Sequence, residues 1–342
     1  MSPNRFNVLL AVTILAAAAP QAAYAQDPIG VRAQGLAGAF VGVADDASAV
    51  YWNPSGLATG AFVSFVLDYG QRDLGPEGGQ LSPNRASRQT SGIVAFSSPP
   101  LGFAYYRIAS FGAGPRESVV MGVPGREEVR RSVHAITTST VGVALLQSVG
   151  DYLVVGATLK LISGSVADGV SATFRADGAL DDAEDLHGAG ETTGDVDVSA
   201  MSALGHLRLG VVARNLTTPV FASDAAGETE PVELQRQVRI GGGWGSGWPG
   251  ISRVIIAVDA DVMNRTTPDG DRRDVAAGAE TWWLKQRLGV RAGVRGSTIG
   301  TARSVVATGV SAAVKTGFYL EGHVALGQQE ERSWSVGARF TF

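Results

Sequence analysis

A two-residue alternation of apolar and polar side chains recurs along most of this chain. Between 254 and 262, Val254, Ile256, Val258, Ala260 and Val262 fall on one side, and Asp259 and Asp261 fall on the other. Leu288, Val290, Ala292 and Val294 share a side opposite Arg287, Arg291 and Arg295. The last segment sets Trp334, Val336, Ala338, Phe340 and Phe342 against Ser335, Gly337, Arg339 and Thr341. Successive side chains of a strand point to opposite faces, so each segment builds a ribbon that is apolar on one face and polar on the other. A soluble sheet buried on one side has the same pattern, so the layout of the segments has to arbitrate.

After residue 60, template matching gives about fourteen such segments. Their connectors alternate in character. Those near 71–89, 110–130, 164–193, 217–234 and 263–271 are long and polar, while those at Pro99-Pro100, Gly150-Asp151, Gly205-His206, Lys285 and Lys315 are short. An even number of strands joined by alternating long and short loops predicts an all-β, antiparallel transmembrane barrel. The aromatics are expected to form girdles at the two membrane interfaces, with Tyr152, Trp244, Trp248, Trp282, Trp283, Phe340 and Phe342 at the short-turn end and Trp334 at the other. The apolar faces would then look out to lipid and the charged faces into the lumen.

The beginning of the chain reads as an export signal. Arg5 precedes a largely apolar run from Phe6 to Ala19, and Ala23-Tyr24-Ala25 fits a small-x-small cleavage site. Residues 1–25 are therefore expected to be a cleaved signal peptide, 26–60 a separate N-terminal segment and 61–342 the barrel. The apolar run is shorter than the roughly 20 residues a spanning helix takes. The chain has no Cys, which excludes disulfide and thiolate chemistry, and its formal net charge of −4 does not suit a nucleic-acid surface.

The segment 32–58 reads RAQGLAGAFVGVADDASAVYWNPSGLA. Gly35, Gly38 and Gly42 allow close approach of backbone to a wall. Asp45 or Asp46 can cap a short helix through Trp52. Pro54 stops that helix and constrains Asn53 before it. There is no Walker lysine and no G-x-G-x-x-G, so the segment is not a phosphate cradle. Arg32 to Val41, Ala44 to Ser48 and Tyr51 to Ala58, with Asn53-Pro54-Ser55 in the place of an Asn-Pro-Ala signature, resemble the N-terminal hatch of the FadL-type superfamily. PorV/PorQ-type barrels share this opening.

The resemblance implies a fourteen-stranded outer-membrane barrel with the hatch inside it, passing hydrophobic compounds such as fatty acids or hydrocarbons by diffusion. The alternative it implies is a PorV/PorQ-like structural or secretion-partner barrel that transports no small molecule. Asp45, Asp46, Trp52, Asn53, Pro54 and Ser55 become candidate hatch and gating residues. Loop 164–193 departs from the family, being acidic and polar where the capture groove would be apolar. A general porin is the third reading, and a hatch in the bore argues against it.

The lumen side carries Lys160, Arg208, Arg214, Arg239, Arg287, Arg291, Arg295 and Arg339, with Asp197, Asp259, Asp261, Asp274, Glu280 and Glu321. Acids and bases on neighbouring strands can satisfy one another, so a structural ladder of paired charges is the favoured reading. The competing one makes Arg208, Arg239, Asp259, Asp261, Glu280, Arg287, Arg291 and Arg295 ligand contacts, since Arg forms bidentate pairs with carboxylates. His134, His187, His206 and His323 show no ligand spacing, and no G-x-S-x-G occurs, so neither a metal, a cofactor nor an enzymatic activity is expected. The acidic run Asp177, Asp181, Asp182, Glu184 and Asp185 reads as a solvated loop rather than a cation site. The expected surroundings are outer-membrane lipid, a hydrophobic ligand or exported protein, and the barrel-assembly machinery reading the terminal Phe342. Nucleic acid is not an expected partner.

Overall fold

The structure is a computed structural model that describes residues 22–24, 29–75, 86–114, 117–120, 127–173, 175–222, 231–248, 251–267, 270–300 and 303–342. Fourteen antiparallel strands form the wall: β1 Ser64–Leu74, β2 Ala86–Ser98, β3 Leu101–Ala113, β4 Glu127–Val149, β5 Leu153–Ser171, β6 Gly190–Leu204 and β7 Leu207–Arg214. They continue as β8 Gln237–Trp248, β9 Ile251–Asp261, β10 Asp274–Trp283, β11 Leu288–Ser297, β12 Ser304–Lys315, β13 Phe318–Gly327 and β14 Arg332–Thr341. Each strand pairs with its sequence neighbours, and β1 pairs with β14 from Ser64–Thr341 to Asp73–Arg332, which closes the barrel. The terminal Phe342 extends that seam by exchanging two backbone hydrogen bonds with Val63.

Alternation explains the wall strand by strand. Ile256, Val258 and Val262 are exposed on the outer face, and Asp259 and Asp261 are buried inside. Tyr69 and Trp334 meet on the outer face near the long-loop end, and Phe65, Phe318 and Phe340 cluster at the short-turn end. Trp282 departs from the expected girdle. It is buried and faces the lumen, against Tyr319 and Arg339, because neighbours on a strand cannot share a face and Trp283 takes the other one. The short turns at Gly150, Gly205 and Gly317 use left-handed glycines.

The outer connections are less regular than the sequence suggested. β4 and β5 run on for 23 and 19 residues, beyond the roughly 9–11 that a spanning strand needs. The loop after β5 therefore begins at 172 rather than 164. The last two connections on the same side, between β11 and β12 and between β13 and β14, are short. Between β5 and β6 the chain folds back as the helix Ala176–Glu184, whose Ala176, Ala179, Leu180 and Ala183 pack on Ala109, Phe111, Val133 and Ala135 on the outer face of the wall. Phe221, Val232 and Leu234 of the next long connection pack instead on Ile136, Ile162 and Val166 of the inner face.

Residues 29–60 lie inside the barrel at the short-turn end. They contain two short helices, α1 Val31–Gly35 and α2 Ala49–Trp52, and a 3-10 turn Pro54–Thr59. Their apolar side chains, Ile29, Leu36, Phe40, Val41, Val50, Tyr51, Trp52 and Leu57 among them, form one core with inward residues of the wall. Much of that wall contribution, Val66, Ile93, Ala95, Ala104, Tyr106 and Ile108, comes from β1 to β3. The lumen thus has an apolar sector as well as the charged one. Of the expected signal segment, residues 1–21 and 25 lie outside the described residues. Ala22–Tyr24 pairs in parallel with Val232–Leu234.

Candidate functional site

The hatch is fastened to the wall through backbone contacts, buried ion pairs and a few polar side chains. Glycine provides the closest approach. A Cβ on Gly42 would come within 2.7 Å of the Gly242 carbonyl carbon, and one on Gly241 within 2.8 Å of the Gly42 nitrogen. Residues 41–43 therefore lie flat on the Gly241-Gly242-Gly243 stretch of β8, where side chains on both surfaces would hold them apart. Gly35 meets the Arg291 side chain in the same way.

Arg32, on α1, is buried and binds three carboxylates. It lies 2.5 Å from Asp45, 3.1 Å from Asp46 and 2.9 Å from Glu280 of β10. Asp45 is turned outward from the hatch. Its Oδ1 accepts from Arg32, and its Oδ2 accepts from Arg253 at 2.6 Å and from Arg208 at 3.5 Å. Burial pushes the Asp45 carboxyl up, but the charges of Arg32, Arg253 and Arg208 outweigh it and hold the group well below the usual carboxylate range. The capping expectation changes accordingly. Ser48 precedes α2 without a side-chain cap, and Asp46 instead accepts the Ser48 amide at 3.0 Å in a turn just ahead of the helix. Asp45 does no capping because three guanidiniums claim its oxygens.

Trp52, Asn53, Pro54 and Ser55 come together as the sequence grouped them. The Trp52 indole donates to the Ile29 carbonyl at 2.9 Å and packs edge-on against Phe40 and Tyr51. Asn53 is fully buried and extended, and its side-chain amide donates to the Val41 carbonyl at 2.8 Å. That bond ties the end of α2 to the strip lying on β8. Pro54 opens the 3-10 turn, where a missing N–H costs nothing. Ser55 reaches the wall, with its amide 3.0 Å and its hydroxyl 2.7 Å from the Ser199 hydroxyl of β6.

Register pairs the lumen charges. Arg239 stands opposite Asp261, Glu280 opposite Arg291 and Lys160 opposite Asp195 across adjacent strands. Arg291 also meets Glu321 at 3.2 Å, Glu321 meets Arg339 at 3.1 Å, and Arg295 meets Glu331 at 3.0 Å. Asp259 accepts the backbone amides of Phe40 and Val41, both at 2.8 Å, while Arg239 donates to the Gly38 carbonyl at 3.2 Å. Arg287 does not belong to this set. It lies exposed in the turn after β10, where Leu284, Lys285 and Gln286 take left-handed backbone, so the alternation that would have carried it inward begins only at Leu288. Neither Arg32 nor Arg253 was singled out from the sequence, although the alternation puts Arg253 on the face of Asp259 and Asp261.

The comparisons bear on this geometry. A family model described as "F plasmid transfer operon, TraF, protein" matches residues 128–261, less than half of the chain. Among curated proteins no match is found. Among solved structures, the CymD monoaromatic hydrocarbon channel superposes with a TM-score of 0.55 at 14% identity, over 92% of this chain and 97% of its own. The TodX deltaS2S3 mutant monoaromatic hydrocarbon channel gives 0.51 at 10% identity, over 86% and 94%. Both are FadL-type fourteen-strand barrels. The chain has the FadL-type fold. Within this barrel, the hatch is a small apolar body clamped on one side by a charged wall. Among the described residues no cluster of three or more His, Asp or Glu is arranged to hold a metal ion.

Proposed function

We propose that this protein is an outer-membrane channel for passive uptake of hydrophobic small molecules, fatty-acid-like or hydrocarbon-like, exported by the N-terminal signal. The observation that carries the reading is the hatch-filled bore. A barrel whose short-turn end is occupied by a packed segment does not offer an open aqueous path, so its solutes are ones admitted by a moving hatch or through the wall. The hydrocarbon channels that share the fold support the same class of solute. Asp45, Asp46, Trp52, Asn53, Pro54 and Ser55 are the hatch and gating residues on this reading, and the protein is a channel rather than an enzyme.

A second reading is a PorV/PorQ-like barrel that binds exported proteins and moves no small molecule. It is favoured by the pairing of many lumen charges across neighbouring strands, which suits a structural ladder better than a ligand track. Deleting and restoring the gene while measuring growth on, or uptake of, a panel of aliphatic and aromatic hydrophobic compounds separates the two. Channel function predicts that uptake of at least one compound falls on deletion and returns with the restored gene. Unchanged uptake across the panel, with an exported protein lost from the surface, would favour the second reading.

A further inference from the structure

Arg208 and Arg253 bound a cleft of about 250 Å³ at the short-turn mouth, between the hatch and β7 to β9. Val43 and Ile255 supply its apolar wall, and His206 and Trp244 also line it. The two arginine side chains are 26% and 37% exposed, whereas the Asp45 they share is 6% exposed, so the guanidiniums face both the hatch and the open cleft.

The donors here outnumber the acceptors. A guanidinium carries five N–H donors. Among the described residues, both arginines reach a single acceptor, Asp45 Oδ2, because Oδ1 already serves Arg32. Among the described residues, no carboxylate lines the cleft. One oxygen shared between two cations leaves positive charge turned toward the cleft, and the adjoining apolar wall strengthens its attraction for an anion relative to open water. A carboxylate presents two oxygens in one plane, whereas a phosphate presents three or more in a tetrahedral array and can meet two differently oriented forks with separate oxygens.

We infer that this cleft is a phosphate-binding site, with Arg208 and Arg253 as its two forks and Asp45 as the internal anion that competes for them. The phosphate is either a phospholipid headgroup at the barrel rim or a free phosphate in solution, and the chemistry of the site is the same for both. Nothing in the inference depends on which solute crosses the barrel.

The test is line broadening of inorganic phosphate in ³¹P spectra, titrated with the full barrel in a phosphate-free detergent. The wild type should broaden the line saturably. Replacing both arginines in R208Q/R253Q should weaken binding by about tenfold or more, the loss of charge-assisted hydrogen bonds. The Asp45→Asn variant changes the sign of the effect. Removing the competing charge should tighten phosphate binding, which a merely loosened hatch would not do. Absence of saturable broadening by the wild type, equal binding by R208Q/R253Q in a heat-modifiable barrel, or weaker binding by Asp45→Asn would each overturn the site. Adding phosphatidylglycerol to the micelles assigns the source. Displacement of inorganic phosphate, absent with diacylglycerol, marks the lipid headgroup as the ligand. Undiminished binding marks free phosphate.

Discussion

Asn53 joins the two halves of the hatch with one buried hydrogen bond. Replacing it with Ala leaves the Val41 carbonyl without that donor, at a cost of about 1–3 kcal/mol. The loss falls on the hatch, because the wall's backbone ladder does not pass through Asn53. Asn53→Ala should therefore migrate as a normal heat-modifiable barrel in detergent gels while its small-solute leak rises, measured in liposomes at matched protein. Asp45 contributes to the pH behaviour of the same body. Its folded pKa is depressed, so its contribution to stability is present above the ordinary carboxylate value and is lost only as pH falls through that value toward the depressed one. The leak should stay flat from pH 7 to about pH 5. A rise near pH 6 would show that another group controls the hatch. The aspartate pair was visible in the sequence as a motif, but its role was not. Capping is a local inference, whereas the partners of Asp45 lie at positions 32, 208 and 253, which only the closed barrel brings together.

Strands were the most legible elements, because a period of two survives whatever else the chain does. Only one face of each strand meets lipid, so the outer face stays apolar where the strand crosses the membrane. The errors arose at strand ends. The alternation carried Arg287 inward although the turn before β11 breaks the pattern. Trp282 and Trp283 were placed together although adjacent strand residues must diverge. The helix in the loop after β5 left a signal at 176, 179, 180 and 183, a helical spacing obscured by the acids between them. The contact between Gly42 and β8 was half legible, since the hatch glycine stood out and the facing Gly241-Gly242-Gly243 read as an ordinary strand. Gly42→Val should force that contact apart at a cost of about 1–3 kcal/mol. Protease cutting within residues 29–60 should be faster than in wild type, with the β-sheet circular dichroism unchanged. Equal cutting rates would mean that the hatch is not held against β8.

At the scale of the whole molecule, closure and plugging are separable. The β1–β14 seam and the backbone ladder close the wall, while Arg32, Asn53, Ser55 and the Gly42 contact hold the hatch within it. Breaking a buried ion pair by removing one partner costs about 3–5 kcal/mol, enough to free a small hatch and little against fourteen paired strands. Uptake of a hydrophobic probe and leak of a small polar solute should therefore respond differently when the hatch is removed. The decisive measurement compares both rates, in cells matched for assembled protein, between the wild type and a variant lacking residues 27–56. The account predicts that the variant barrel assembles, that leak rises, and that hydrophobic uptake, dependent on the protein in wild-type cells, changes with it. Wild-type rates for both solutes in the deletion variant would contradict the hatch as the plug of this barrel.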